Sequence, residues 1–261
     1  MKDRHIFNQD DLNDLGFFEP WVGEKYENGF NGKKVLAVGA SHYCDKDLFL
    51  CSYRKDCLQC SKKFAMEKLC PHPEISEQPE YNYLSTRMCI EYLFNCGPTL
   101  ERHLMVYNYF HSAVVGRQKG DTVSDPSERK EFWNSVAFFN FYQNYMLSAS
   151  QSGYDDEKAK SFIDPLKRVI KTLSPDIVFF WGANVERILK ANLQLVDADE
   201  EFKSFIYFYE FEGKNIVVMF QDHPTSRYAY HNRLEIAGIS YYKWTPIIRR
   251  SFEIANYQQS T

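Results

Sequence analysis

The sequence has no surplus of positive charge: 31 Lys and Arg stand against 35 Asp and Glu, a formal net charge of −4. No global field draws this chain onto a polyanion, so a nucleic-acid partner must meet a local patch. Long apolar runs are missing too. The densest, Ile177 to Trp181, is strand-sized and far short of a bilayer span, which excludes a membrane-spanning reading. Behind Met1 the chain turns acidic at Asp10, Asp11 and Asp14, where a secretory signal would carry an apolar stretch; the expected location is the cytoplasm. Cysteines stay reduced there, and their odd total of seven argues further against a complete disulfide framework. Internal repeats and low-complexity tracts are also absent. What remains, 261 residues that are 44% hydrophobic and 25% charged, is globular composition in a chain long enough to bury a large core without staples.

Four short apolar runs punctuate the chain: Val35-Leu36-Ala37-Val38, Val136-Ala137-Phe138-Phe139, Ile177 to Trp181 and Ile216 to Phe220. Each ends in a polar residue or glycine, the pattern of a strand buried on both faces. Helical periodicity fills the gaps. Ala159, Phe162, Ile163, Leu166, Val169, Ile170 and Leu173 recur at three- and four-residue steps, with Pro165 kinking that helix or starting its main part. Val185, Ile188, Leu189 and Leu193 make a second stripe, and residues 82–96, 99–111 and 243–257 read as three more helices. Residues 1–30, rich in Gly, Asn, Asp and Pro, read as irregular chain leading into the fold. Buried strands alternating with amphipathic helices predict one α/β domain over residues 1–261: a three-layer α/β/α sandwich around a mainly parallel four-stranded sheet, with an insertion at about 44–81.

Ligands of open parallel sheets bind beyond the carboxyl ends of the strands. Those ends are Gly39-Ala40-Ser41-His42-Tyr43, Asn140-Phe141, Trp181-Gly182-Ala183-Asn184 and Gln221-Asp222-His223-Pro224-Thr225-Ser226. In chain order they resemble the motifs of the uracil-DNA glycosylase superfamily, in a divergent branch. That family has a Gly-led polar turn after its first strand, an Asn after a hydrophobic strand, a strand ending Trp-Gly and a final His-Pro-Ser. The resemblance implies hydrolysis of the N-glycosidic bond of a flipped, uracil-like base, with DNA as the partner, no membrane, and a monomeric enzyme. It needs no cofactor for excision.

The resemblance implies roles for these residues, each of which fits the chemistry. A flipped base is held by stacking and by hydrogen bonds to its Watson–Crick edge. The Asn140 carboxamide offers an acceptor and two donors to a uracil edge. His223 would donate to the base carbonyl as negative charge gathers there. The backbone N–H groups of Thr225 and Ser226 would grip a phosphate beside Pro224, Gly39 and Ala40 would let the backbone approach the sugar, and Tyr43 would wall the pocket with Phe141. One departure is plain: Ser41, followed by His42, stands where the best-known branch carries an Asp that positions water. Ser is no general base at its ordinary pKa, so His42, Asp45 or Asp222 takes that role or the chemistry is absent. Two alternatives follow: a non-catalytic nucleic-acid or nucleotide binder on the same fold, and a Cys–His hydrolase using Cys44 beside His42.

Five cysteines crowd between Cys44 and Cys70. The pair Cys57-Leu58-Gln59-Cys60 has the gap that lets two thiolates reach one metal, and Cys51 and Cys70 most economically complete a tetrahedral site, with Cys44 and His72 as substitutes. Structural zinc fits such a set, the resemblance adds an iron–sulfur cluster, which some branches of that superfamily hold through four cysteines, and plain packing is the third reading. Cys89 and Cys96 fall on one helix face and read as core. Aromatics reach 16%. Tyr81, Tyr83, Tyr107, Tyr109, Phe110, Tyr142, Tyr145, Tyr228 and Tyr230 lie near predicted loops or helix ends among Arg87, Arg102, Arg117, Lys119, Arg227 and Arg233, a mixture suited to stacking exposed bases. The loop Gly116-Arg117-Gln118-Lys119-Gly120 is a candidate phosphate contact or simply a solvated loop.

Overall fold

The computed structural model describes residues 20–43, 86–97, 100, 104–118, 121–143, 145–146, 156–224, 233–236 and 239–258; the Cys-rich insertion expected at 44–81 lies outside these. In chain order the first strands are β1 (Trp21–Val22), β2 (Val35–Gly39) and β3 (His42–Tyr43). Helices α1 (Thr86–Asn95), α2 (Met105–Val114) and α3 (Pro126–Ser135) follow, then β4 (Ala137–Asn140) and β5 (Tyr145–Met146). Next come α4 (Asp156–Lys160), α5 (Ile163–Leu173), β6 (Ile177–Trp181) and α6 (Ala183–Asn192). The chain continues through β7 (Leu195–Asp197), β8 (Ile206–Phe211), β9 (Lys214–Gln221), β10 (Arg233–Ile236), β11 (Ile239–Tyr242) and α7 (Thr245–Gln258).

The four apolar runs become β2, β4, β6 and β9, which lie parallel in the order β4-β2-β6-β9. Every residue of β2, β4 and β6 is buried, which is why these strands read as continuous apolar runs rather than alternating ones. Helices cover both faces. On one, side chains of α1, α2, α3 and α7 pack on Val35, Ala37, Phe138, Phe179, Trp181 and Met219. On the other, α5 and α6 pack on Leu36, Val38, Phe139, Val178, Phe180 and Val218. The stripe predicted for α5 is the buried one: Ile163, Leu166, Val169, Ile170 and Leu173 are all under 8% exposed. Burying each contributes about 1.5–3 kcal/mol. Pro165 sits in the first turn, where a missing N–H costs no intrahelical bond.

The expected four-stranded sheet needs correction: seven strands form one mixed sheet, with as many antiparallel pairings as parallel ones. The lead-in chain is not wholly irregular, because β1 pairs antiparallel with β4. At the other edge β7 and β8 extend the sheet beyond β9. Strand β8 escapes sequence reading because its aromatics, Tyr207, Phe208, Tyr209 and Phe211, fall on both faces and leave no period of two. Glu212 and Gly213 join β8 to β9 with φ of 50° and 81°, a two-residue turn of the hairpin type. Gly213→Ala therefore forces an L side chain into a left-handed conformation. It is expected to lower stability by about 1 kcal/mol, measured by urea unfolding. The second expected helix runs past residue 111 to Val114, where Gly116 at φ 74° supplies the left-handed stop.

Candidate functional site at the carboxyl ends of the parallel strands

The strand register brings three of the four motifs onto one row. Gly39 pairs with Asn140, and Trp181 pairs with Gln221. Because Val38 pairs with Phe180, Gly39 and Trp181 are the next neighbours across β2 and β6. Two residues earlier on each strand, Phe138, Ala37, Phe179 and Met219 all face α1, α2, α3 and α7 in sequence-alternating order, three of them in the apolar cluster with Ala37. The period of two therefore turns Asn140, Gly39, Trp181 and Gln221 to that same face. Asn140 is 3% exposed and Trp181 and Gln221 are each 1% exposed.

Gly39 leaves the space that the Asn140 amide occupies. A β-carbon there would lie 2.5 Å from Asn140 Oδ1 and 2.8 Å from Phe138 Cζ. The carboxamide of Asn140 thus rests on the main chain of the first motif, in the volume that any other residue would fill. Ala37 and Gly39 leave a trough along β2, and Phe138 and Trp181 meet across it with ring centroids 5.2 Å apart. Phe110, 4.9 Å from Trp181, and Tyr107, 5.2 Å from Phe138, complete an aromatic floor.

Beyond the sheet the first two motifs stay side by side. The N–H of Phe141 donates to the Gly39 carbonyl at 2.9 Å and that of Tyr142 to Ala40 at 2.8 Å. Further on, His42 and Tyr43 of β3 pair with Tyr145 and Met146 of β5. Gln143, fully buried, donates from Nε2 to the Asn140 carbonyl and anchors that turn. On the other side the Gly182 N–H donates to the Gln221 carbonyl at 2.8 Å. Gly182 has φ 100°, a conformation that favours glycine, and its α-carbon faces His223, whose Cβ would stand 4.0 Å from an added side chain. His223 is partly buried, and desolvation lowers its pKa to about 4, so at pH 7 the ring is neutral and offers one N–H donor.

The expected site residues divide as follows. Gly39, Asn140, His223 and the buried Pro224 lie at these four adjacent strand ends, with Ala40 and Ser41 half-buried beside them. His42 and Tyr43 contribute backbone pairing; their side chains, together with Thr225, Ser226, Asp45 and the cysteines Cys44, Cys51, Cys57, Cys60 and Cys70, lie outside the described residues. Phe141 is not on the Asn140 side: its ring turns to the opposite face and packs on Tyr142 and Phe162, at 5.0 and 6.3 Å. Among residues 39–41, 140–143, 181–184 and 221–224, Asp222 is the one carboxylate. Sequence reading missed Gln221 as a site residue, although the signal is there: a polar residue closes the strand in phase with its buried Met219 and Val217.

One surface expectation is corrected and another is narrowed. Tyr107, Phe110 and Tyr142 are 6%, 0% and 1% exposed, so they pack rather than stack on an external base. Arg117 makes a two-pronged pair with Glu128, 2.8 and 2.7 Å to its two oxygens, which engages the guanidinium of the candidate phosphate loop and favours the solvated-loop reading for this residue. Burial pushes the Cys89 thiol up to about 12, consistent with a packing residue. Among the described residues no group of His, Cys, Asp and Glu is placed to hold a metal ion, and no helix is long and apolar enough to cross a membrane.

The chain matches no family model and no curated protein.

Proposed function

We propose that the row at the carboxyl ends of β4, β2, β6 and β9 binds a nucleobase flipped out of DNA, and that the chain is a glycosylase-type hydrolase. The observation that carries this reading is the carboxamide of Asn140 seated on Gly39, two motifs far apart in sequence meeting so closely that a β-carbon at position 39 would displace the amide. Parallel strands with helices on both faces support the fold that the resemblance implies.

In this reading Asn140 pairs with the imide edge of the base, which presents an N–H beside a carbonyl. The C1′–N bond breaks with its electron pair leaving on the base. The neutral His223 donates its N–H to the base carbonyl on which that charge collects. Water supplies hydroxide to C1′ and its proton to the departing base. Asp222 is the carboxylate within reach of the strand ends to orient that water, since Ser41 cannot. The Cys51, Cys57, Cys60 and Cys70 set would serve the insertion structurally, as zinc or an iron–sulfur cluster, outside the excision chemistry.

The second reading, a non-catalytic binder of nucleic acid or a nucleotide, is favoured by Ser41 in place of the family's Asp. Uracil- and mismatch-containing oligonucleotides under enzyme excess separate the two. Abasic product that His223→Ala reduces by about 10²-fold supports hydrolysis, in line with the loss of one transition-state donor. Binding that His223→Ala and Asn140→Ala abolish, without abasic product, supports the binder. Neither product nor binding overturns both.

A further inference from the structure

Gln221 closes a strand whose preceding residues, Ile216 to Phe220, are all buried and apolar. It is 1% exposed, yet among the described residues neither its Oε1 nor its Nε2 has a hydrogen-bond partner. Its register neighbour Trp181 repeats the pattern: the indole is 1% exposed and its Nε1–H has no partner among the described residues. A buried amide left unpaired is destabilising, and an apolar side chain of the same shape would fill the position without that penalty. Two neighbouring side chains with one acceptor and donors on both, held dry at the end of a parallel sheet, are instead matched to a ligand that brings its own polar atoms.

We propose that Gln221, with the indole N–H of Trp181, forms the second pole of the row and holds a hydrogen-bonding group of the same ligand that Asn140 reads. The two amide-bearing α-carbons stand three strand spacings apart, roughly 14 Å. That span exceeds a free pyrimidine and suits a base together with its sugar or an adjoining nucleotide, so the substrate class is a nucleotide unit within a strand. This inference rests on the base-binding reading of Asn140 and adds to it a second contact at which nucleotide and free base differ.

The test uses the full-length protein with Gln221→Leu and, as a second isostere, Gln221→Met. Probes are a single-stranded oligonucleotide with one uracil, and free uracil. Thermal unfolding is followed without ligand; binding and single-turnover excision are followed with each probe. The expected result is a Tm raised by about 3 °C in both variants, as befits removal of an unpaired buried amide. Oligonucleotide affinity falls tenfold or more, and the affinity for free uracil stays within twofold. Unchanged oligonucleotide binding in variants that fold overturns the inference while leaving the Asn140 reading intact. A lowered Tm in both variants also overturns it, because Gln221 then has a structural partner. A wild-type protein that neither binds nor cleaves the oligonucleotide overturns the underlying base-binding reading itself.

Discussion

Under the proposed glycosylase reading, Asn140→Ala is expected to lower excision of uracil from a single-stranded oligonucleotide by about 10²-fold or more, the cost of removing one preorganised group of this kind from a dry site. The carboxamide is 3% exposed and rests in the space over Gly39, so its position is fixed before any ligand arrives. Gly39→Ala is expected to act in the same way from the opposite side. The new β-carbon would lie 2.5 Å from Asn140 Oδ1 and 2.8 Å from Phe138 Cζ, and the amide must leave its place. The two substitutions disable one element, so the double variant is expected to be no worse than either alone. Single-turnover kinetics on the two single variants and the double variant check this, with circular dichroism showing that each remains folded. Multiplied losses in the double variant would show that Gly39 and Asn140 act separately.

Acidification from pH 7 to pH 5 is expected to cost the native state about 2 kcal/mol through His111 alone. This ring is fully buried in α2 and stacked on Phe132, with centroids 4.1 Å apart and planes at 10°. Burial, and then the nearby Arg117 and Arg129, lower its pKa to about 3 from the 6.5 of an exposed histidine. Below pH 6.5 the unfolded chain takes up a proton that the native state refuses until about pH 3. The unfolded form therefore binds more protons across this window, and stability falls as the pH falls. His223, lowered to about 4, acts in the same direction with a smaller effect because water reaches part of it. Asp125 and Asp199, whose carboxyls are held below their usual range, contribute only at more acidic pH. His111→Phe keeps the stack and removes the titration. Urea unfolding at pH 7 and pH 5 is expected to show the steep dependence in the wild-type protein and a much flatter one in the variant. An equal loss in both would assign the acid sensitivity elsewhere.

The parallel core of the fold is legible in the sequence because strands buried on both faces leave uninterrupted apolar runs: Ile177 to Trp181 is recovered residue for residue. The stripe of α5 is legible for the equivalent reason at a period of 3.6. The antiparallel edges are not. β1 is two residues long, and β8 carries aromatics on both faces, so neither has a periodic signal. The motifs Gly39 and Asn140 stand out by type and by their place at strand ends, but that Gly39 makes room for Asn140 follows only from the pairing of β2 with β4. Gln221 needs the register of β6 and β9 to be seen as part of the row. The loop at Arg117 leaves phosphate contact and solvated loop open in the sequence because its partner Glu128 lies eleven residues away, across the turn into α3, where local charge patterning does not reach. Tyr107 and Phe110 sit near the ends of sequence-predicted helices, yet α2 faces the sheet and buries them.

The central claim is that the carboxamide of Asn140 reads a base at the ends of the parallel strands. Nitrogen-edited NMR of its side-chain NH2 group, assigned by loss of the signal in Asn140→Ala, tests it most directly. On titration with a single-stranded oligonucleotide carrying one uracil, the Asn140 NH2 resonances are predicted to shift and saturate together with binding, and to stay in place with the matching cytosine oligonucleotide, whose base lacks the imide edge, at the same concentrations. Binding of the uracil oligonucleotide that leaves the Asn140 NH2 resonances unmoved would contradict the account.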